Sequence, residues 1–195
     1  MSFSGFRRRG GPLYRSNRDP LDVERILKEI GLEVGNAFLD AGCGEGRFSI
    51  AASRIVGGSG KVFAIDISGE AISSLKEAIN KKNITNIEAF TGDITERIPV
   101  EENSIDVCLM ANILHGLVMN NKVETSLKQV YRVIKPGGLL GIVDFKKING
   151  PPGPPLSIRI SPEEVEETIS KYGFKKRKVA EVGEYHYAIT FVKTD

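Results

Sequence analysis

Three aspartates, each expected at the end of a strand, are the residues of this sequence best placed to do chemistry. Asp40 precedes a glycine-rich turn, Asp66 lies near the end of KVFAIDI, and Asp93 lies in TGDI. The second acid can accept hydrogen bonds from ribose hydroxyls and the third from an adenine amine, and Ile67 and Ile94 could enclose the adenine ring. Each acid alone could instead cap the turn that follows it. Three of them at successive strand ends indicate a nucleotide site.

The segment from Asp40 to Gly46, DAGCGEG, predicts the turn that would hold the charged part of such a ligand. Its three glycines allow a sharp turn and a close approach of the ligand to the backbone. The helix expected next would present free N–H groups to a carboxylate or a phosphate. A turn of this kind can also be purely structural. Its spacing, acid-x-Gly-x-Gly-x-Gly, differs from the G-x-G-x-x-G of dinucleotide sites and disfavours a nicotinamide coenzyme.

Alternating strands and helices must position these residues. Short apolar runs, typical of parallel strands covered on both faces, predict strands over Ala37–Ala41, Lys61–Ile67, Ile87–Thr91, Ile105–Met110 and Leu139–Phe145. Helical spacing and end signals predict helices over Arg47–Ile55, Ser68–Lys81, Val123–Ile134 (ended by KPGG) and Ser161–Tyr172. Phe174–Val182 and Tyr185–Lys193 would form a hairpin at the sheet edge. The fold class is therefore α/β: a single-domain, Rossmann-like, doubly wound sheet of seven strands, mostly parallel, with an antiparallel strand in the C-terminal hairpin.

The two ends of the predicted domain have their own signals. Residues 1–19 are rich in glycine, arginine and serine and predict a flexible basic segment, which leaves residues 20–195 as the domain. A first helix would begin with Asp19 as its cap and Pro20 at its first position. In the later Pro/Gly loop Ile148–Pro155, the Pro-rich part Gly150–Pro155 suits either a substrate lid or a plain connector.

Composition excludes little and favours an ordinary globular domain. The 195 residues carry a net charge of +2, with 41% hydrophobic and 27% charged residues, so no nucleic-acid or membrane partner is strongly indicated. No apolar run is long enough to span a bilayer, and none follows the N-terminal arginines as in a signal peptide. Cys43 and Cys108 show neither a disulfide framework nor metal-ligand spacing, and no metal site is expected. We therefore expect a cytoplasmic protein.

Five segments of the sequence together resemble the class I S-adenosylmethionine-dependent methyltransferases: FLDAGCGEGRFSI, VFAIDIS, TGDI, NSIDVCLMANILHGL and LKQVYRVIKPGGLLGIVDFKK. The resemblance covers roughly Leu21 to Lys147 and is strongest to the small ubiquinone- and menaquinone-biosynthesis-like branch. It implies S-adenosylmethionine as the cofactor and S-adenosylhomocysteine as its product. Asp40 and Gly42–Gly46 would hold the methionine part, Asp66 the ribose and Asp93 the adenine. The cofactor-binding residues so implied are Asp40, Ala41, Gly42, Cys43, Gly44, Gly46, Asp66, Ile67, Asp93, Ile94, Ala111 and Asn112, the last two on the sulfonium side.

The resemblance specifies the cofactor better than the methyl acceptor. The longer N-terminal signature of quinone-pathway members is missing, as are the extra cysteines of arsenic-methylating relatives. Ala111-Asn112-Ile113-Leu114 stands where enzymes that methylate nucleobase amines carry Asn-Pro-Pro-Tyr. A small-molecule acceptor is the leading expectation. The alternatives are an RNA or protein acceptor, a cofactor-binding scaffold without turnover and, last, a nicotinamide oxidoreductase.

His115, just after the fourth strand, is the candidate catalytic residue. A sulfonium methyl is already electrophilic, so its transfer needs alignment and exclusion of water, and a base only where the acceptor is protonated. His115 could contact the acceptor or act as that base. Alternatively, it begins a helix and packs against the pocket.

Two further groups have open interpretations. His186 is expected to pack on an edge strand, on the face opposite to Tyr185 and Tyr187. The N-terminal arginines, Arg7–Arg9 first among them, could close over the cofactor, hold an anionic acceptor, contact RNA, or form a solvated tail.

Overall fold

The computed structural model of the chain describes residues 21–150 and 153–194. Within them, seven strands form one sheet: β1 (Ala37–Ala41), β2 (Lys61–Asp66), β3 (Ile87–Thr91), β4 (Ile105–Ala111), β5 (Ile134–Phe145), β6 (Phe174–Glu181) and β7 (His186–Lys193). Their order is β3-β2-β1-β4-β5-β7-β6, and β7 runs antiparallel to both of its neighbours, whereas β1–β5 pair in parallel. The predicted fold class is confirmed.

Helices cover both faces of this sheet: α1 (Val23–Glu29), α2 (Arg47–Val56), α3 (Gly69–Lys81), α4 (Leu114–Met119), α5 (Val123–Val133) and α6 (Pro162–Ile169). Buried side chains of α1–α3 belong to one apolar cluster and those of α4–α6 to another, on the opposite side of the sheet. Because both faces are covered, the central strands bury almost all of their side chains, which explains their continuous apolar runs. In the described part of the chain, no helix combines the length and the apolar character that a membrane span requires.

The first helix begins later than the sequence analysis predicted. Asp22 is the N-cap of α1, because its carboxylate accepts a hydrogen bond of 3.0 Å from the N–H of Arg25. Leu21 precedes the helix and is buried. Asp19 as the cap is therefore wrong. Asp19 and Pro20 themselves lie outside the described residues, as does the rest of the predicted flexible segment 1–19.

The KPGG segment also differs from its prediction, because it belongs to a strand. The chain passes from α5 directly into β5, where Ile134 pairs with Ile105 before the register shifts to the pair Val107–Leu139. Gly137 has a φ of +73°, which allows the irregular backbone at this shift. The two glycines thus mark a bulged strand beginning rather than a turn outside the sheet.

The C-terminal hairpin lies at the sheet edge as predicted, but its second strand lies inside the sheet. β7 is placed between β5 and β6, so β6 forms the edge. His186 is therefore buried on an inner strand, with its ring centroid 4.2 Å from that of Phe145, and the expected edge-strand packing is wrong. Tyr187 faces the other side and donates its hydroxyl to the Ile160 carbonyl at 3.0 Å.

Candidate active site

A cavity of about 340 Å³ lies at the carboxyl ends of four neighbouring strands, β1 to β4, where the strand order reverses. This is the place at which open α/β sheets bind ligands. Its walls come from the segments that follow these strands and from one face of α4. The lining residues are Gly42, Asp66, Ile67, Gly92, Asp93, Ile94, Asn112, Ile113, Gly116, Leu117, Asn120 and Lys122.

Half of the residues implied as cofactor ligands line this cavity: Gly42, Asp66, Ile67, Asp93, Ile94 and Asn112. Ile67 is 70% exposed, whereas Ile94 is almost fully buried, so one side chain is free to move and the other is fixed. The remaining six do not line the cavity: Asp40, Ala41, Cys43, Gly44, Gly46 and Ala111. Asp66 and Asp93, at the ends of the second and third strands, therefore line one cavity, whereas Asp40, at the end of the first strand, does not.

Asp40 is buried beneath the glycine-rich turn instead of facing the cavity. Its carboxylate accepts a hydrogen bond of 2.6 Å from the Ser49 hydroxyl on α2. Burial raises the pKa of Asp40 to about 6, against the lowering effect of the Ser49 hydrogen bond and with a further increase from the charge of Asp66. Burial also raises the pKa of the Cys43 thiol in the same turn. The first acid therefore fixes the turn to the following helix.

The glycine-rich turn is closed by hydrogen bonds within the protein. The N–H groups of Gly42 and Cys43 donate to the Ile65 carbonyl at 2.8 and 3.0 Å, and that of Gly44 donates to Asp66 Oδ2 at 2.8 Å. Gly42 has a φ of +80°, and a Cβ there would lie 2.9 Å from the side chain of Ile113, which lines the cavity. Gly42 therefore lets the backbone form a tight wall beside the cavity.

Backbone groups orient both cavity aspartates. Asp66 accepts hydrogen bonds of 2.8 Å from Gly44 N–H and Ser68 N–H, one on each oxygen. Asp93 accepts one of 2.8 Å from Thr95 N–H and forms an ion pair of 3.1 Å with Lys122. Burial alone acts to raise the pKa of Asp93, but the hydrogen bonds from Thr95 and Lys122 outweigh it and lower the pKa. Each carboxylate keeps lone pairs for a ligand.

Asn112 adds to the cavity wall a buried polar atom that no other described residue satisfies. Its Oδ1 is buried and has no hydrogen-bond partner among the described residues. Its φ is +57°, in the left-handed region, which glycine adopts more easily than asparagine. An unsatisfied buried carbonyl costs about 1–3 kcal/mol. The fold therefore holds this oxygen out of water, and in a less favourable backbone conformation, at a cost to stability.

His115, the candidate catalytic residue, lies beside the cavity rather than in its wall. It is the second residue of α4, and its Nδ1 lies 2.8 Å from Oδ1 of Asp144 at the end of β5. Asp144 is fully buried. This partner was not predicted from the sequence, although a charged residue within the apolar run LLGIVDF was a visible signal.

The sequence analysis also missed the wall that α4 contributes. Four residues after β4 recur at helical spacing and share one face: Ile113, Gly116, Leu117 and Asn120. That spacing was present in ANILHGLVMN and could have been identified. Lys122 had no such signal, because its role depends on an ion pair with a distant residue.

Of the other candidates, the N-terminal arginines lie outside the described residues, as do Pro151 and Pro152. The rest of the Pro/Gly loop is held by Arg159, whose guanidinium donates to the carbonyls of Lys146, Ile148, Gly150 and Pro154.

The strand order, the glycine-rich turn and the cavity at the carboxyl ends of β1–β4 define the Rossmann-like fold of class I methyltransferases. A family model described as a methyltransferase domain matches residues 32–187. The chain belongs to this methyltransferase domain family.

Solved and named relatives agree with that family. A solved SAM-dependent methyltransferase from Aquifex aeolicus superposes with a TM-score of 0.81 and is 34% identical, over 88% of this chain and 89% of that one. Demethylmenaquinone methyltransferase of Oceanobacillus iheyensis is 36% identical over 112 residues, or 57% of this chain and 45% of the relative. The 2-phytyl-1,4-naphtoquinone methyltransferase of Nostoc punctiforme is 29% identical over 147 residues, or 72% of this chain and 63% of the relative.

The chain thus spans about half to two thirds of the length of these named relatives. The resemblance found in the sequence, to class I methyltransferases near the quinone-biosynthesis branch, is confirmed.

Proposed function

We propose that this domain transfers a methyl group from S-adenosylmethionine to a small apolar acceptor of the quinone class. The observation that carries the donor site is the unsatisfied Oδ1 of Asn112 in a cavity with two aspartates. All three groups are hydrogen-bond acceptors. S-adenosylmethionine offers matching donors in its ammonium group, its ribose hydroxyls and its adenine amine. The polar groups of the cavity therefore fit the donor molecule.

Each predicted residue has a distinct task in this proposal. Asp66, held by two backbone N–H groups, would accept the ribose hydroxyls, and Asp93 would accept the adenine amine. Ile67 and Ile94 would enclose the ring. Asn112 would accept a hydrogen bond from the methionine part.

The residues outside the cavity wall would act through the backbone. Gly44 and Gly46 lie in the closed turn, and Ala41 and Ala111 are the last residues of β1 and β4. Asp40 would position the turn through Ser49 without contacting the ligand. When bound, S-adenosylmethionine supplies an electrophilic methyl group; the chain aligns donor and acceptor and excludes water.

The acceptor class rests on the relatives and on apolar surface near the cavity. Two named relatives carry quinones in their names. Val118 and Met119 on α4 and Leu156 in the 3₁₀ turn Leu156–Ile158 are exposed, and that turn packs against α4. A quinone ring or its apolar tail would cover such side chains. The two free thiols, Cys43 and Cys108, support a reducing, cytoplasmic location.

Calorimetry tests the donor site without knowledge of the acceptor. We expect micromolar binding of S-adenosylhomocysteine and no response to NAD. Asn112→Gly removes the amide at a position where glycine adopts the same φ, so affinity should fall by about tenfold, the value of one hydrogen bond.

Asn83→Gly is the matched control, because Asn83 also has a left-handed φ of +50° but lies exposed at the end of α3. This variant should bind the product as the wild type does. Tight NAD binding, or equal affinities of the wild type and Asn112→Gly, would contradict the proposal.

A further inference from the structure

His115 and Asp144 form a closely bonded pair at the carboxyl ends of β4 and β5. Asp144 Oδ1 accepts hydrogen bonds of 2.8 Å from His115 Nδ1 and from Phe145 N–H, and Oδ2 faces the His115 N–H at 3.3 Å. The carboxylate is fully buried, and these donors are what stabilise it. An ionised carboxylate can only accept, so Nδ1 must carry the proton.

The second ring nitrogen of His115 is left open. The side chain of His115 retains 14% exposure, and the described residues give Nε2 no hydrogen-bond partner. Nε2 is not one of the buried polar atoms without a partner, so it reaches solvent. With Nδ1–H fixed by Asp144, a neutral His115 presents Nε2 as a proton acceptor.

The pair lies beside the candidate donor cavity. Ile113, the N-cap of α4, and Gly116 line the cavity, whereas His115, which lies between them in the chain, faces Asp144 of β5. Exposed apolar side chains stand nearby, on α4 at Val118 and Met119. An apolar molecule bound on this surface would lie beside Nε2 of His115, with its reacting atom facing the methyl donor in the cavity.

The geometry points to Asp144 as a positioning residue that holds His115 in the Nδ1–H tautomer, with Nε2 ready to remove a proton from the acceptor. This inference rests on the proposed methyl transfer and sharpens its substrate class. The acceptor is a molecule that becomes nucleophilic only when it loses a proton, such as a quinol, a phenol or an enol with an apolar body. An acceptor with a free lone pair, such as a tertiary amine, needs no such base.

The step balances without a redox partner. The proton of the acceptor passes to His115 Nε2, and the electron pair left on the acceptor forms the bond to the methyl carbon. The electrons of the broken carbon–sulfur bond stay on sulfur, which gives S-adenosylhomocysteine. His115, now doubly protonated and stabilised by Asp144, releases a proton to solvent afterwards.

Several other titratable or charged groups surround the pair. His186 on β7 and Arg159 both face the Phe145 ring, at centroid distances of 4.2 and 5.6 Å, and the His115 ring lies 6.3 Å from that ring on another side. Tyr187 on β7 lies near enough for Asp144 to contribute to its raised pKa, although burial is the larger cause. Neither His186 nor Arg159 lies between Asp144 and Nδ1 of His115, because that contact is direct.

The tautomer can be measured without any acceptor. The chain has two histidines, so long-range ¹H–¹⁵N correlation spectra at pH 8.5 need one variant, His186→Gln, for assignment. We expect the wild type to show His115 with Nδ1 protonated and Nε2 bare. Asp144→Asn replaces one acceptor with an amide donor, so His115 should change to the Nε2–H form. A wild-type Nε2–H tautomer would overturn the inference on its own.

Turnover provides the second measurement, with the quinol of 1,4-naphthoquinone, kept reduced by dithionite, as the probe. His115→Gln and Asp144→Asn should each lower kcat by about 100-fold while KM stays within about twofold. Asp106→Asn is the matched control, since Asp106 also accepts a backbone N–H and a side-chain hydrogen bond, but at the opposite end of β4.

The outcomes separate the two proposals. If product binding is present but His115→Gln retains kcat within about twofold of the wild type, the base is absent and His115 only anchors α4. If S-adenosylhomocysteine does not bind at all, the proposed function fails, while the tautomer spectra still decide whether Asp144 positions His115.

Discussion

Polar side chains are satisfied to different degrees at the amino and the carboxyl ends of the parallel strands. At the amino ends of the parallel strands, Lys193 Nζ donates to Asn103 Oδ1, to the Tyr131 carbonyl and to the Ile134 carbonyl at 2.9, 2.9 and 2.8 Å. At the carboxyl ends, Asn112 Oδ1 is buried and the described part of the chain gives it no partner, while His115 uses one of its two ring nitrogens there. We call the side of the sheet at the amino ends, where polar groups are saturated and stabilise the fold, the saturated edge. We call the side at the carboxyl ends, where unused hydrogen-bonding capacity can meet a ligand, the ligand edge.

Two further residues show that the saturated edge joins separate elements. Asp106 at the start of β4 accepts the N–H of Ala37 at the start of β1 and pairs with Lys135 at the start of β5. Arg132 at the end of α5 donates to the carbonyls of Ile98 and Val100. Each side chain satisfies backbone groups that the strands and helices cannot satisfy themselves. We therefore expect substitutions here to act on stability and not on the donor site.

The largest expected effect follows from removing the lysine of the saturated edge. Lys193→Met keeps the apolar stem but leaves buried carbonyls without a donor, so the free energy of unfolding should fall by about 2–3 kcal/mol. Urea denaturation measures this change. Affinity for S-adenosylhomocysteine should stay that of the wild type.

Asn112→Gly is the counterpart at the other edge. It should unfold no more easily than the wild type, because it removes backbone strain and an unsatisfied carbonyl, yet it should bind the product more weakly. If Lys193→Met weakened product binding as much as Asn112→Gly, the division between the edges would be wrong.

Asp40 is the residue that crosses this division, because it lies at the ligand edge but is fully buried. Burial raises its pKa from 3.8 to about 6 in the folded state. The folded protein therefore binds a proton more tightly than the unfolded chain between these values, and stability falls as pH rises through that window. At neutral pH the ionised carboxylate persists at a cost to stability.

Asp40→Asn should therefore raise the free energy of unfolding at pH 7.5 by about 1–2 kcal/mol, less than the full pKa difference because the new amide needs a partner. Between pH 4 and pH 7, the free energy of unfolding of this variant should change less with pH than that of the wild type. A variant less stable than the wild type at pH 7.5 would show that the Ser49 hydrogen bond to the charged form outweighs burial.

Regular elements were predictable because their signals are local. The capping box of α6 joins Ser161 and Glu164, three residues apart, and both of its hydrogen bonds form as the sequence indicates. Asp66 and Asp93 meet in one cavity because the carboxyl ends of parallel strands meet at one edge. The roles of these acids toward a ligand stay predictions.

The missed features depend on contacts between residues far apart in the chain. Asp144 lies 29 residues from His115, and no periodic pattern connects the two. The insertion of β7 between β5 and β6 likewise depends on pairing across the sheet, which buries His186 on an inner strand. Asp40 matched a motif, but its burial followed from the packing of α2 against β1.

The smallest expected effect concerns Lys122, which forms an ion pair with Asp93 at the ligand edge. Lys122 pairs with Asp93 Oδ2 at 3.1 Å, and its side chain remains about half exposed. Such a pair contributes little to stability, about 0.5 kcal/mol or less. If Asp93 accepts the adenine amine, Lys122 competes for the same oxygen. Lys122→Gln should then tighten product binding by about twofold in low salt and remove its salt dependence, because salt screens only the charged competitor.

Lys128→Gln is the matched control, because Lys128 pairs with Glu124 at 2.6 Å on the exposed side of α5. It should change neither affinity nor its dependence on salt. Calorimetry at two salt concentrations distinguishes the roles of Lys122. Weaker binding by Lys122→Gln would mean that the lysine holds Asp93 in the orientation the ligand needs. The ion pair would then belong with the saturated contacts of the opposite edge, and unused hydrogen-bonding capacity at the ligand edge would reduce to Asn112, His115 and Asp66.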